Sequence, residues 1–587
     1  MEVAERVKDR TLASTCLNWR TRPCFGWVEA GVLAGYIGVL VLVIPFHEPW
    51  SDEAQAWLIA RDSSFWEILR YRLHYEGAPG LWHILLFIFQ RLHGSYAGIG
   101  WLGGGIAVLG VVVLLRWSPF PLLLRVLLPF TFFLQYQYAA VARSYVLFPL
   151  LAFTMCALFR SRRSSVWFGV AAGLLANVSV QGTIFSGAML VLYLVERGSV
   201  AQDSGRSRER SPAKALWGCG AVYAVFLLAA VAVAVPAPDQ VDARGAPVVH
   251  KGHLHDLLAH FPGESLSGDP SILLLPPDPT PEFDPVPPEP KLFSSPLLWA
   301  AWFVHHEEAD LATDPLRKRP RKAVVNLMVG SAAEATWPIS TSKPLGCLFL
   351  AVLAAWLHAR GFLRGLLPWI VLILFGERVW VADHHVGLLF IVLLSVIWIA
   401  YGRAEARGSS PVLDRAFVSV FAVVCALQVT WSSVSIRADR RGNYDPGQET
   451  AKYLMERPGK HIVGFGFYTV AVQPYFVHSP FENIPTSYWV WSQVDDRDKL
   501  HRRTIESRPD LVVFSFDRPD VGVMHNEWSP LFPIMSASEQ MDLHRKVIVE
   551  ELRSRGYRET HRFCGRRFSR VSSSYQSCDV IFEPAGP

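Results

Sequence analysis

Long uncharged apolar runs, interrupted by short polar breaks, recur from residue 27 to 236 and again from 344 to 432. Runs such as 31–46, 215–236, 362–375 and 386–401 extend with apolar flanks toward the roughly 20 residues that one helical crossing of a bilayer requires. Taken at 27–46, 79–93, 95–115, 120–138, 144–159, 165–180, 182–196, 215–236, 344–358, 362–380, 386–402 and 413–432, the segments predict about 11–13 spans. Beyond residue 437 the rhythm changes. Apolar runs shorten to strand length in HIVGFGF, DLVVFSF and CDVIFEP and alternate with a helical pattern in EQMDLHRKVIVEELRSRG. The fold class expected is mainly α: a polytopic membrane helix bundle over 27–436, followed by a small α/β domain over 437–587.

Composition strengthens the membrane reading, since 51% of the 587 residues are hydrophobic, with 21 Trp and 35 Phe. The formal charge of +5 is small for that length. The basic residues sit in short loops rather than a stripe, so membrane lipids are expected partners and nucleic acid is not. The tail 1–26 carries Arg6, Lys8, Arg10, Arg20 and Arg22 without a cleavable signal, and is placed in the cytoplasm. Arginine-rich breaks at 160–163, 197–214, 358–364 and 403–407 fall on that same side if the C-terminal domain faces outward. Strict alternation then requires one apolar segment between 79 and 138 not to cross fully, and Pro121 and Pro129 single out 120–138 as broken. Residues 237–343 form a long loop placed outside, holding LLLPPDPTPEFDPVPPEP with polyproline character. Its basic run at 317–322 suits a lipid phosphate, a headgroup contact or a cytoplasmic turn alike. Of eight Cys, only Cys564 and Cys578 lie in the polar C-terminal region, where a disulfide and two free thiols are both compatible with the sequence.

The loop 47–79 carries the candidate chemistry. Ser64-Phe65-Trp66-Glu67 reads as a capping box and Gly77 as a helix stop, so two short amphipathic helices are expected, held at headgroup depth by Trp and Arg. Asp52 and Glu53 are adjacent, about 100° apart around a helix, so one acid faces the site and the other caps or pairs. A carboxylate near hydrocarbon is costly unless it is paired or lines a wet cavity, which makes Asp52 a functional candidate beside the plain reading of an N-cap. At the same membrane face the topology places Tyr138 and Arg143, Asn177 and Gln181, and Glu377, Arg378, Asp383, His384 and His385. Arginine and histidine beside carboxylates are what a phosphate-bearing lipid with an attached sugar requires, although each taken singly is equally at home as a snorkelling cation or a structural histidine. The substrate-binding candidates are accordingly Glu53, Tyr138, Arg143, Gln181, Arg378, His384 and His385. No cofactor is expected with certainty; a divalent metal through Asp52, Glu76 and one histidine stays open, with no compact ligand spacing to call for it.

The succession PWSDEAQAWLIARD, YEGAPGLWHILL and a span, joined by Arg143-Ser144-Tyr145 and His384-His385-Val386-Gly387, resembles the integral-membrane glycosyltransferases of the GT-C superfamily. The likeness is nearest to the bacterial group related to lipopolysaccharide core transferases, more distantly to aminoarabinose transferases and protein O-mannosyltransferases, and is specific over residues 40–90. It implies an enzyme of the bacterial inner membrane that takes a sugar from a polyprenyl-phosphate carrier. The sugar would pass, with inversion, to a lipid, glycan or protein acceptor on the outer face, where the C-terminal domain also lies. It further implies that Asp52 is the base or acceptor-orienting carboxylate, that Glu76 assists it as the second catalytic acid, and that Arg143 and His385 lie near the carrier phosphate. The family often has His-Pro-Pro after its Glu-Gly, whereas this chain has Ala78-Pro79-Gly80, which puts in doubt any metal or phosphate contact made from that position. Two rivals make different demands. A transporter or lipid flippase would place acids and bases near mid-membrane and repeat its halves, and a sensor or assembly protein would leave no cavity beside Asp52.

Overall fold

The computed structural model describes residues 26–159, 165–203, 211–235, 335–340, 343–378, 383–403, 410–484, 487–490, 504–519, 548–569 and 572–585. The tail through residue 25, the Pro-rich run and the basic run at 317–322 lie outside the described residues. The helical part comprises α1 (Trp27–Val43), α2 (Ser51–Asp62), α3 (Leu81–Arg91), α4 (Ile99–Trp117), α5 (Leu147–Phe159), α6 (Ser165–Ala176), α7 (Val180–Asp203), α8 (Ser211–Ala234), α9 (Lys343–Ala359), α10 (Leu367–Arg378), α11 (Asp383–Gly402) and α12 (Pro411–Asp439). Among the described residues, five helices are long and apolar enough to cross a membrane, at Trp27–Phe46, Tyr96–Trp117, Leu216–Ala234, His385–Gly402 and Pro411–Asp439. The chain is mainly helical, with several apolar helices and a small C-terminal sheet domain.

Burial distinguishes the roles of these helices. From Val386 to Ala400 almost every residue of α11 is buried, as a helix apolar all round must be when it runs through a protein core. It packs on α5, where Phe153 stacks on Trp398 with ring centres 5.7 Å apart. By contrast α8 leaves Trp217, Val225 and Leu228 exposed, an outward face that only lipid would solvate favourably.

The segment 120–138 is broken. A helical stretch at Leu122–Leu127 tightens into a 3-10 turn at Leu128–Phe130, around Pro129, and then widens into a π turn at Phe133–Gln137. Proline has no N–H to continue the ladder. Irregular backbone among apolar helices must find other partners, and here side chains supply them. The Tyr36 hydroxyl donates to the Leu134 carbonyl at 2.7 Å, and the Thr131 hydroxyl to the Leu128 carbonyl at 2.7 Å.

The arginine-bearing helix ends are tied to one another. Glu196 of α7 accepts Arg364, at 2.5 Å, and Arg403, which follows α11. Arg360 donates to Asp414 at the start of α12 at 2.7 Å, and Arg197 donates to the Phe159 carbonyl that ends α5 at 3.1 Å.

Past α12, helix α13 (Gly447–Met455) leads into a sheet of β1 (Ile462–Phe465), β2 (Leu511–Pro519), β3 (Tyr557–Ser569) and β4 (Ser572–Pro584). Its order is β1-β2-β4-β3, with β1 and β2 parallel and the other neighbours antiparallel. Val463, Phe465, Val512, Phe514, Leu552, Val580 and Phe582 form a core beneath it. Cys564 and Cys578 stand opposite each other on β3 and β4 and form a disulfide, which decides between the two thiol states that the sequence allowed. The β3 edge meets the end of α12, where the Arg566 N–H donates to the Asn443 carbonyl at 2.8 Å. The C-terminal domain also meets the first loop, where Arg61 donates to the Phe476 carbonyl at 2.9 Å.

Candidate functional site

The loop after α1 starts α2 at Ser51, and the two adjacent acids separate there. Glu53, the third residue of α2, reaches back to the Trp50 N–H at 3.2 Å and satisfies one of the orphan donors at the helix start. Its other oxygen accepts the Ala142 N–H at 2.7 Å. His47 Nε2 lies 3.3 Å from Glu53, while His47 Nδ1 meets Asp439, the last residue of α12, at 2.9 Å. Glu53, His47 and Asp439 are all buried. Glu53, expected from sequence to contact substrate, is thus placed in the framework, with both oxygens engaged by protein groups. Burial pulls the His47 imidazole toward the neutral form, but Asp439 and Glu53 outweigh it and raise its pKa to about 10.

Asp52 turns the other way and pairs with Arg143, with Nη2 to Oδ2 at 2.7 Å and both side chains partly open to solvent. The Arg143 guanidinium lies 5.1 Å from the centre of the Trp50 ring and 5.3 Å from that of Tyr145, cation–π distances that hold it in place. Tyr145 in turn joins His385, hydroxyl to Nε2 at 2.6 Å. Tyr138 is buried behind them, its ring centre 6.1 Å from that of Tyr145. It fits because residue 387 is glycine: a Cβ there would approach the Tyr138 hydroxyl to 2.6 Å.

The second acid arrives from the far end of the loop. Ser64 and Glu67 form the expected capping box, and the chain runs through a π turn at Ile68–Arg72 to Leu73–Glu76, where Gly77 at φ +60° ends the helix. Glu76 accepts the Gln55 amide at 2.8 Å. Its pKa is pushed up to about 7, first by burial and then by the nearby Asp52 charge, while Gln55 and Arg143 oppose the rise. Two donors beside these acids, Arg143 Nη1 and Trp50 Nε1, are buried and have no hydrogen-bond partner among the described residues. Such unspent donors are unfavourable unless a ligand or water takes them up.

The remaining candidates are placed less closely. Gln181 is buried in the first turn of α7 without a hydrogen bond to Asp52, Glu76 or Arg143. Arg378 ends α10 and His384 lies in the first turn of α11, and both side chains are outside the described residues. No cluster of three or more His, Cys, Asp or Glu able to hold a metal occurs among the described residues.

Several participants escaped the sequence reading. Gln55 was detectable, because it lies three residues after Asp52 and hence on the same helix face. From the C-terminal domain, the main chain of Trp489 bonds Gln55, and Arg567 lies 4.3 Å from the Trp50 ring centre. Beside them Asp445 is lifted to about 8, chiefly by burial and against the pull of Arg567, and Glu48 is lifted to about 7, again first by burial. Nothing in the local sequence marks Trp489 or Arg567 as neighbours of the loop.

No protein-family model, curated protein or solved structure matches the chain.

Proposed function

We propose that this protein is a membrane glycosyltransferase of the GT-C type, moving a sugar from a polyprenyl-phosphate carrier to a lipid, glycan or protein acceptor on the outer face of a bacterial inner membrane. The observation that carries the reading is the Asp52–Arg143 pair with Glu76 close by: two carboxylates from opposite ends of the first loop and a cation from the turn before α5, with a donor that is unspent among the described residues, flanked by Trp50 and Tyr145. In the proposed reaction an acceptor oxygen forms its bond to the anomeric carbon as the carbon–phosphate oxygen bond breaks. The leaving polyprenyl phosphate keeps the electron pair, and the acceptor proton passes to one of the two carboxylates. A carboxyl near 7 suits that transfer at neutral pH, so Glu76 is assigned the proton and Asp52 the orientation of the acceptor hydroxyl. Arg143 steadies the departing phosphate, and the configuration inverts.

The same reading places about 11–13 spans in a bundle with the C-terminal domain outside. Two observations support that orientation: arginine-bearing helix ends gathered by Glu196 and Asp414, in keeping with a cytoplasmic face, and a disulfide in the C-terminal domain, in keeping with an oxidising compartment. The test is mass spectrometry of glycolipids, cell-wall glycans and glycoproteins from a deletion strain. One sugar should be missing, restored by the wild-type chain and left missing by membrane-inserted Asp52→Asn or Glu76→Gln. Full restoration by both variants would overturn the assignment.

A further inference from the structure

The amide of Gln55 is filled at both ends. Its Nε2 donates to Glu76 at 2.8 Å and to the Trp489 carbonyl at 2.8 Å, while its Oε1 accepts the Trp489 N–H at 2.9 Å. The side chain is 3% exposed, so turning it would strand buried polar atoms. Trp489 belongs to the described segment 487–490, which crosses the first loop at two further points: the Ser487 hydroxyl meets Asp62, and the Tyr488 ring lies 4.9 Å from the Arg72 guanidinium.

We propose that Gln55 is a positioning residue for Glu76 and that this strap of the C-terminal domain fixes it, so that the second acid of the site acquires its orientation only while the domain is docked. The inference deepens the functional reading above, yet its test needs no sugar donor. The groups facing Glu76 are Gln55 and Asp52 from α2 and Arg143 from the turn before α5. On its own element, His74 is turned away to the Val235 carbonyl at 2.5 Å. The Gln55 N–H favours the carboxylate, so its loss leaves burial and Asp52 less opposed and the acid harder to ionise.

The experiment is an infrared titration of the protonated-carboxyl stretch in the full chain in detergent, with the Glu76 band identified by its loss in Glu76→Gln. In the wild type the band should disappear around pH 7. Gln55→Met keeps the volume and removes the donor, and should move the midpoint up by about one pH unit, the usual scale of one hydrogen bond to a carboxylate. Trp489→Pro removes the strap's N–H along with its indole, so Trp489→Ala, which keeps the N–H, is its control; relative to that control the midpoint should move in the same direction by less. A wild-type midpoint in Gln55→Met overturns the positioning role, and a midpoint in Trp489→Pro equal to that of Trp489→Ala overturns the strap. If Gln55→Met does not fold, the Trp489→Pro result decides alone. A chain that transfers no sugar yet shows both shifts would sink the transferase and keep this inference, whereas active transfer with unmoved midpoints would do the reverse.

Discussion

His47→Gln is the perturbation that tests the framework behind the site most directly. His47 sits between Glu53 and Asp439, and glutamine can offer each carboxylate a hydrogen bond but no charge. The rise of its pKa from 6.5 to about 10 corresponds to roughly 5 kcal/mol of preference for the imidazolium in the folded chain. Breaking a buried ion pair by removing one partner costs about 3–5 kcal/mol, so the two scales agree. Because Glu53 also accepts the Ala142 and Trp50 amides, the loss should appear as local opening there. Hydrogen exchange of those amides, followed by mass spectrometry in detergent, should accelerate by roughly a hundred-fold or more, each 1.4 kcal/mol being about a factor of ten. The double variant His47→Gln/Glu53→Gln removes one of the stranded charges and should recover part of the protection. The sign in pH also follows. A raised folded-state pKa gives stability that is whole below 6.5 and lost as pH rises through about 10, so wild-type protection should fall across that range while the variant stays flat. Acceleration of less than about ten-fold in the single variant would refute the claim that His47 is charged and holds the two carboxylates.

Two further outcomes concern the docked C-terminal domain. Gly565→Ala would bring a Cβ within 2.6 Å of the Asp445 N and Cα and 2.7 Å of the Tyr444 carbonyl carbon. Backbone cannot yield as a side chain can, so the change should cost at least the 1–3 kcal/mol or so of ordinary overpacking. It should also loosen the adjacent hairpin, read as faster reduction of Cys564–Cys578 by thiol alkylation; an unchanged rate would count against the docking contact. Asp445, raised to about 8, binds a proton more tightly folded than unfolded, so its contribution is whole below its ordinary 3.8 and fades as pH climbs through about 8. Amide protection over 443–447 should therefore weaken from mild acid to beyond pH 8, and Asp445→Asn should flatten that slope.

The helical architecture was legible because long uncharged apolar runs have few other uses, and the expected segments coincide with α1 and with α3 through α12, although among the described residues only five helices reach a length that could cross a membrane. The break at 120–138 was legible for a sharper reason: Pro129 denies the ladder an N–H, and the chain turns through 3-10 and π geometry on either side of it. The strands at HIVGFGF, DLVVFSF and CDVIFEP could be read from their apolar shortness, but not their order, since β4 pairs with both β2 and β3 through contacts that no local pattern encodes. Likewise the meeting of Asp439 with His47, and of Trp489 with Gln55, spans 392 and 434 residues and had no local signal.

The site itself turned on a smaller question, which of two neighbouring acids faces outward, and helix-start chemistry answers it. With Trp50 as the N-cap, Ser51 is the first helical residue, Asp52 the second and Glu53 the third. Only the side chain at the third position is placed to fold back onto the N-cap amide, and a Glu has the length for it that an Asp lacks. Glu53 is therefore drawn to Trp50 and, once there, lies against Ala142 and His47. Rotation by about 100° then sends Asp52 to Arg143, the residue after Ala142. One capping bond and one tether thus set the register of both charged partners. Exchanging the two acids, Asp52→Glu with Glu53→Asp, should disrupt the cap and the Asp52–Arg143 pair together, although composition and net charge are unchanged.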